Sequence, residues 1–191
     1  MTYENASSAA TDLRAFGDLV LDAWSTGLDR DWSVPAGTLE WSCFRTADHT
    51  VDCVQSYAFL LASGRQDSYP PFNEMHALDG ATPSDLLDGL RGAVTMLWAV
   101  VVTAGSDTRA ILRRRPAVEG GAPPDFAARG SLEMVLHAHD VCAGLGITFD
   151  PPSQCCRRLR DHTSGWPHAR TVESTDDAWS DILRRSGRTP A

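Results

Sequence analysis

Residues 131–146, SLEMVLHAHDVCAGLG, are the most informative stretch of the sequence. Their apolar residues recur with the spacing of an amphipathic helix, and two glycines near the end predict where that helix stops. Glu133 and His137 are four residues apart and therefore lie on one face of the helix, and Asp140 follows one turn later. A buried polar stripe of this kind must be compensated. The stretch therefore indicates a core helix of a bundle, where a metal ion or an ion-pair network satisfies such groups.

Helical periodicity continues along the chain on both sides of this stretch. Apolar stripes predict four long helices and two shorter ones, and the third long helix has a clear start at the capping residue Thr82. The predicted segments are residues 13–24, 43–62, 86–102, 125–143, 153–163 and 176–185. The region 106–124 is expected to be mostly loop, and residues 145–149 offer the best short strand.

These segments predict an all-α fold. Four helices of about 20 residues, each about 30 Å long, are enough for a four-helix bundle. The bundle is assigned to residues 1–150. Residues 151–191 are predicted to form a helical C-terminal extension that packs on the bundle without being a separate domain.

Composition and charge exclude several classes of function. The chain has 191 residues, of which 42% are apolar, and a net charge of −8, which disfavours a protein that follows nucleic-acid phosphates. All of its basic residues are Arg, so no lysine Schiff base or P-loop lysine is available. The five cysteines form no CxxC motif, the N-terminus does not resemble a signal peptide, and the longest apolar run, residues 94–104, is short for a membrane span. We therefore expect a reduced, cytoplasmic protein with no nucleic-acid or membrane partner.

Glu133 and His137 supply two candidate metal ligands on one helical turn, and His49 on the second helix is the best candidate for a third. Three protein ligands that leave a coordination position open are the catalytic pattern of zinc, and the same donors suit ferrous iron or nickel. Cys53 lies one turn after His49. We interpret it as a small core residue, with a redox-sensitive thiol beside the site as the alternative.

Two motifs around these residues resemble a known family. TLEWSCFRTADH, residues 38–49, resembles a signature in which a Trp is followed by Ser or Thr and, eight residues after the Trp, by His. EMVLHAHDVCAGLG, residues 133–146, resembles a second signature, Glu-x-x-x-His-x-Trp-Asp with a helix end rich in small residues. Together they are similar to the mycothiol-dependent maleylpyruvate isomerase N-terminal family, within the DinB/YfiT-like metal-binding four-helix bundles. The tail TDDAWSDILRRSGRTP, residues 175–190, resembles that of the single-domain, actinobacterial-type branch.

The resemblance implies a DinB-like bundle with a divalent metal bound by His49, Glu133 and His137, zinc first and nickel or iron as alternatives. Asp140 then matches the family Asp and is predicted to orient a ligand or the substrate. The implied function is a metal-dependent thiol transferase or isomerase. In such an enzyme the metal activates the thiol of mycothiol, the cosubstrate, for addition to a small electrophilic substrate.

Two other functions remain open. The same ligands could activate water or polarise a carbonyl group, as in a hydrolase, cyclase or lyase that uses no thiol. His139 stands where family members usually carry Trp, and Ala143 where many carry Arg. These two departures favour a non-catalytic metal-binding or interaction bundle as the second hypothesis. The expected partner is a small-molecule substrate, and bundles of this kind also often pair into homodimers.

Overall fold

Four long helices, a short hairpin and two short C-terminal helices make up the part of the chain that the structure describes. It is a computed structural model that describes residues 3, 5–72, 75–113, 118–166 and 170–188. The elements in chain order are α1 (Ala6–Ser25), α2 (Cys43–Ser63), α3 (Pro83–Thr103), β1 (Ala110–Arg113), β2 (Glu119–Gly121), α4 (Pro123–Leu145), α5 (Ser153–Thr163) and α6 (Ala178–Ser186). The prediction of an all-α fold built on a four-helix bundle is confirmed.

The ends of the helices follow from local sequence. Ser42 begins α2 because its side chain accepts a hydrogen bond from the backbone N–H of Arg45. Thr82 begins α3 in a complete capping box with Asp85, as the sequence predicts. Gly146 ends α4 in the left-handed conformation that glycine adopts at little cost.

The packing of the four long helices brings α2 directly against α4. α1 and α2 each contact both α3 and α4, and α3 also contacts α4. The centre is filled by apolar side chains, each of which contributes roughly 1.5–3 kcal/mol on burial. The largest fully buried residues include Trp24, Phe16, Phe126, Leu90, Leu97 and Met134. Since α2 carries His49 and α4 carries Glu133 and His137, the predicted ligands lie on two adjacent helices.

Helix α3 is apolar over a longer stretch than the run 94–104 near its C-terminal end. Its length and composition alone, among the helices that the structure describes, would also suit a membrane span. Core helices of soluble proteins share this property. In the bundle, α3 contacts α1, α2 and α4.

Two predictions about strands were wrong. Residues 106–124 were expected to be mostly loop, but β1 and β2 pair there as an antiparallel hairpin with an irregularity between Ile111 and Arg113. Strands of three and four residues are too short for alternation to reveal them. Residues 145–149 do not form a strand: Leu145 ends α4, and the N–H of Ile147 donates to the carbonyl of Cys142. Of three consecutive arginines in the sequence, Arg113 ends β1, and residues 114 and 115 lie outside the described residues.

The C-terminal helices are attached to the bundle by ion pairs. Arg158 of α5 donates two hydrogen bonds to Asp12 of α1, at 2.8 and 2.5 Å. Arg160 of α5 and Thr175 both donate to Asp181 of α6, whose side chain is fully buried. α5 also contacts α4. The tail therefore lies against both α1 and α4.

Gly144 permits a close approach between the end of α4 and the segment before α2. A Cβ atom at this position would overlap the carbonyl oxygen of Pro35 and lie 2.6 Å from the Sγ of Cys43. Pro35 also forms a bridge with Ser42, the residue that begins α2. The absence of a side chain at Gly144 thus helps to fix where α2 starts.

Replacing Gly144 with alanine should destabilise the protein, because backbone rather than a flexible side chain would have to move. We expect Gly144→Ala to lower the free energy of unfolding by about 1–3 kcal/mol, the usual cost of overpacking. Gly92→Ala is the matched control, since a Cβ at this exposed position of α3 meets nothing within 4 Å. It should raise stability by about 0.5–1 kcal/mol. Urea denaturation of the three proteins measures both effects, and equal stabilities would contradict the close approach.

Candidate metal centre

The site is built by two helical faces that meet inside the bundle. His49, Cys53 and Tyr57 are spaced by four residues on α2 and therefore lie along one face. Glu133 and His137 have the same spacing on α4. The donor atoms of His49, Cys53 and Glu133 all lie within 4.8 Å of one another and form a possible metal-binding group.

His137 lies at the edge of this group. Its Nε2 atom is 3.4 Å from Oε2 of Glu133, and its ring centroid is 5.3 Å from that of His49. The Sγ of Cys53 is likewise 3.4 Å from Nε2 of His49. Two ligands bound tetrahedrally to one zinc at 2.0–2.3 Å are about 3.3–3.6 Å apart, so both separations suit a shared metal.

Glu133 is held as a carboxylate by its neighbours on both helices. Its Oε1 atom is 2.9 Å from Nη2 of Arg129 and accepts a hydrogen bond from the Tyr57 hydroxyl at 3.3 Å. Arg129 in turn donates from Nε to the Tyr57 hydroxyl at 3.1 Å. Burial alone would raise the pKa of Glu133, but His137 and the Arg129 charge outweigh it and lower that pKa to about 2. Oε1 is thereby engaged, while Oε2 faces His137.

Asp140 contacts the opposite nitrogen of the His137 ring. Its Oδ2 atom is 3.4 Å from Nδ1 of His137, and its two oxygens accept hydrogen bonds from Arg188 at 2.5–3.0 Å. Burial lowers the pKa of His137, but Asp140 and Glu133 together raise it above its ordinary value. Nδ1 of His137 is buried and lacks a partner of good hydrogen-bond geometry among the described residues. Asp140 thus lies where it can orient the His137 ring.

The remaining sequence motifs surround the centre. The ring of Trp41 lies edge-on to that of His49, with centroids 5.2 Å apart, and the guanidinium of Arg45 lies over Trp41 at 4.4 Å. His139, in contrast, contacts Trp179 of α6 at a centroid distance of 5.8 Å. The Trp–His signature therefore forms one wall of the site, whereas His139 belongs to the contact with the tail.

Besides a cleft of about 440 Å³ that touches His49 next to Trp41 and Arg45, two clefts, one larger than the other, reach further donors of the centre from different sides. One, of about 350 Å³, lies between α2 and the loop that follows it; its lining includes His49, Cys53, Tyr57, Tyr69 and Phe72. The other, of about 140 Å³, lies between α4 and the C-terminal tail, with a lining that includes Glu133, Arg129, Thr163, Trp166 and Arg185. A small molecule could therefore approach the donors without the bundle opening.

The segment between α2 and α3, described over residues 64–72 and 75–82, lines the larger cleft with residues of its first part and is held to α2 through the backbone of its second part. Oδ1 of Asp48 accepts from the N–H of Ala77 at 2.7 Å, and Oδ1 of Asp52 accepts from the N–H of Met75 at 2.8 Å. His76 adds a side-chain contact of 2.9 Å to Asp48. On α2, Asp48 directly precedes His49 and Asp52 directly precedes Cys53. One face of this helix therefore contacts the loop, and the neighbouring face carries the site residues.

The structure places His49 and Glu133 in one group of donor atoms and His137 beside Glu133, outside that group, and it adds residues that the sequence analysis does not assign to the site. Cys53, interpreted first as a core residue, is part of the closest group of donors. Tyr57 and Arg129 had not been considered, although each is separated by four residues from a site residue, Cys53 and Glu133 respectively. That spacing was the available signal. The identity of the ligands within this His/Cys/Glu group stays a prediction.

The depressed pKa of Glu133 should make stability depend on acidity. A carboxylate with a lowered pKa stabilises the fold above its unfolded pKa, near 4.5, and this contribution is lost as the pH falls towards the folded value of about 2. In metal-free protein, the stability difference between wild type and Glu133→Gln should shrink by about 2 kcal/mol from pH 6 to pH 3. Denaturant titrations at several pH values measure it. A constant difference would mean that Glu133 titrates normally.

Comparison with known proteins gives no further support for a family or a function. The chain matches no protein-family model, no curated protein and no solved structure. The resemblance of residues 38–49 and 133–146 to a family therefore stays a prediction from two motifs. The case for a function depends on the geometry of the cluster around Glu133.

Proposed function

We propose that this chain is a metal-dependent thiol transferase or isomerase that acts on a small electrophilic substrate. His49, Glu133 and His137 would hold a divalent cation, zinc first and nickel or iron as alternatives, and a thiol of the mycothiol type would be the cosubstrate. The observation that carries the proposal is the meeting of imidazole, thiol and carboxylate donors from α2 and α4 within 4.8 Å. When bound, such a cation lowers the pKa of a coordinated thiol or water and supplies a nucleophile at neutral pH.

The surroundings of the donors support a built site rather than a chance cluster. Arg129 and Tyr57 fix one oxygen of Glu133, so that its other oxygen is directed towards His137. Asp140 contacts the far nitrogen of His137, the usual arrangement by which a carboxylate sets the orientation and tautomer of a metal-binding imidazole. Each of these partners is buried or largely buried, where an uncompensated charge would be costly.

The clefts support a small substrate with an apolar part. The larger cleft brings Tyr69 and Phe72 near Cys53 and His49, and the smaller one places Trp166 and Arg185 near Glu133. The nucleophile and the electrophile could thus approach the centre from different sides. Apolar walls with a few polar groups at one end are typical of small-molecule sites.

A second candidate function is a non-catalytic metal-binding bundle. The observation that favours it is Cys53, because a fourth protein donor beside His49, Glu133 and His137 could close the coordination sphere. Structural zinc sites are closed in this way, whereas catalytic ones keep a position open. A hydrolase, cyclase or lyase that uses water remains the neighbouring enzymatic alternative, and it would need no thiol.

The first test is metal content and affinity. We expect purified wild type to bind about one divalent cation per chain, and His49→Ala and His137→Ala to bind it at least about tenfold more weakly. His139→Ala is the matched control: it removes a histidine two residues from His137 that contacts Trp179 instead. Elemental analysis and a competition titration with a chelator measure both quantities. Unchanged affinity in the two ligand variants, or no binding by wild type after reconstitution, would refute the metal site.

The thiol is tested separately on the metal-loaded protein. Addition of mycothiol should change the visible spectrum of the cobalt-substituted protein. A transferase should then consume the thiol with an electrophile, whereas an isomerase should convert maleylpyruvate to its trans isomer with the thiol regenerated. Turnover that needs no thiol would favour the hydrolase, cyclase or lyase. Tight metal binding with neither a spectral change nor turnover would favour the non-catalytic bundle.

A further inference from the structure

We propose that Cys53 is a resident thiolate ligand, which completes a four-donor set with His49, Glu133 and His137 and occupies the position that a substrate thiol must take. The inference rests on the proposed metal site. It adds that the protein's own cysteine is a ligand there before any substrate thiol binds. It makes the protein's own sulfur the competitor of the cosubstrate.

Distance and spacing favour Cys53 as a ligand. Cys53 belongs to the closest group of donors, while His137 contacts that group through Glu133. Its Sγ lies 3.4 Å from Nε2 of His49, as expected for sulfur and nitrogen on one tetrahedral cation. Cys53 and His49 are also four residues apart on one helix, a spacing at which two side chains bind the same metal without any backbone change.

Charge balance also favours Cys53 as a ligand. A dication bound by Glu133 and two neutral imidazoles would carry a net charge of +1, in a largely buried place where Arg129 already lies 2.9 Å from Glu133. The charge of Asp140 is compensated by Arg188 and does not balance this excess. A thiolate at Cys53 makes the four-donor set neutral, which removes the repulsion from Arg129.

Access places Cys53 on the path of an incoming thiol. Cys53 lines the larger cleft together with His49 and the aromatic residues Tyr69 and Phe72. A thiol entering there would pass its proton to the Cys53 sulfur and replace it as the bound thiolate. One thiol is deprotonated and one thiolate is protonated, so the charge of the site does not change. The cost of burying a charged nucleophile is thereby avoided.

The test uses the near-ultraviolet absorption that a thiolate gives to a bound cobalt ion. Wild type loaded with cobalt(II) should show this band, and Cys53→Ala should lose it while still binding about one metal per chain at least about tenfold more weakly. Cys155→Ala is the matched control, because it removes the other half-buried cysteine, on α5 rather than α2. It should keep both the band and the affinity.

A second readout needs no substitution. Cobalt should protect Cys53 of wild type from iodoacetamide, as followed by peptide mass spectrometry. Adding mycothiol should expose it again. This measurement decides the question even if Cys53→Ala folds poorly.

The two proposals fail in different ways. If wild type binds metal but has no thiolate band, and Cys53 is alkylated equally fast with and without cobalt, Cys53 is not a ligand and the proposed function stands. If neither wild type nor Cys155→Ala binds metal, both proposals are overturned.

Discussion

The largely buried carboxylate of Glu133 is the group on which the site depends. A carboxylate inside a helical bundle is tolerated only with compensating charge and hydrogen bonds, and Glu133 obtains them from Arg129, Tyr57 and His137. Tyr57 comes from α2 and the other two from α4, so this compensation requires the two helices to pack side by side. Glu133 and its partners therefore link the pairing of α2 with α4 to the chemistry of the site.

The same chain of contacts extends to the C-terminal tail. His137 lies between two carboxylates, with Glu133 at one ring nitrogen and Asp140 at the other. Asp140 is paired with Arg188, which follows α6. The tail thus supplies the charge that allows Asp140 to remain buried as an anion beside His137.

Much of the fold, but less of the site, could be predicted from the sequence. The long helices were predictable because strong local signals, such as the capping box at Thr82, coincide with apolar stripes. The hairpin in 110–121 was missed because its short strands carry no such signal. That Cys53 belongs to the donor group could not be predicted for a different reason: its spacing from His49 was visible, but which face of α2 meets α4 depends on the packing of the whole bundle.

Residues 75–77, in the segment between α2 and α3, are held to α2 mainly through backbone atoms. Asp48 and Asp52 accept hydrogen bonds from backbone N–H groups, which residues other than proline all possess. Side chains at Met75 and Ala77 can therefore be exchanged during evolution without releasing the loop, provided proline is avoided. The surface beside the cleft can thus vary in sequence while the donors on α2 and α4 stay in place.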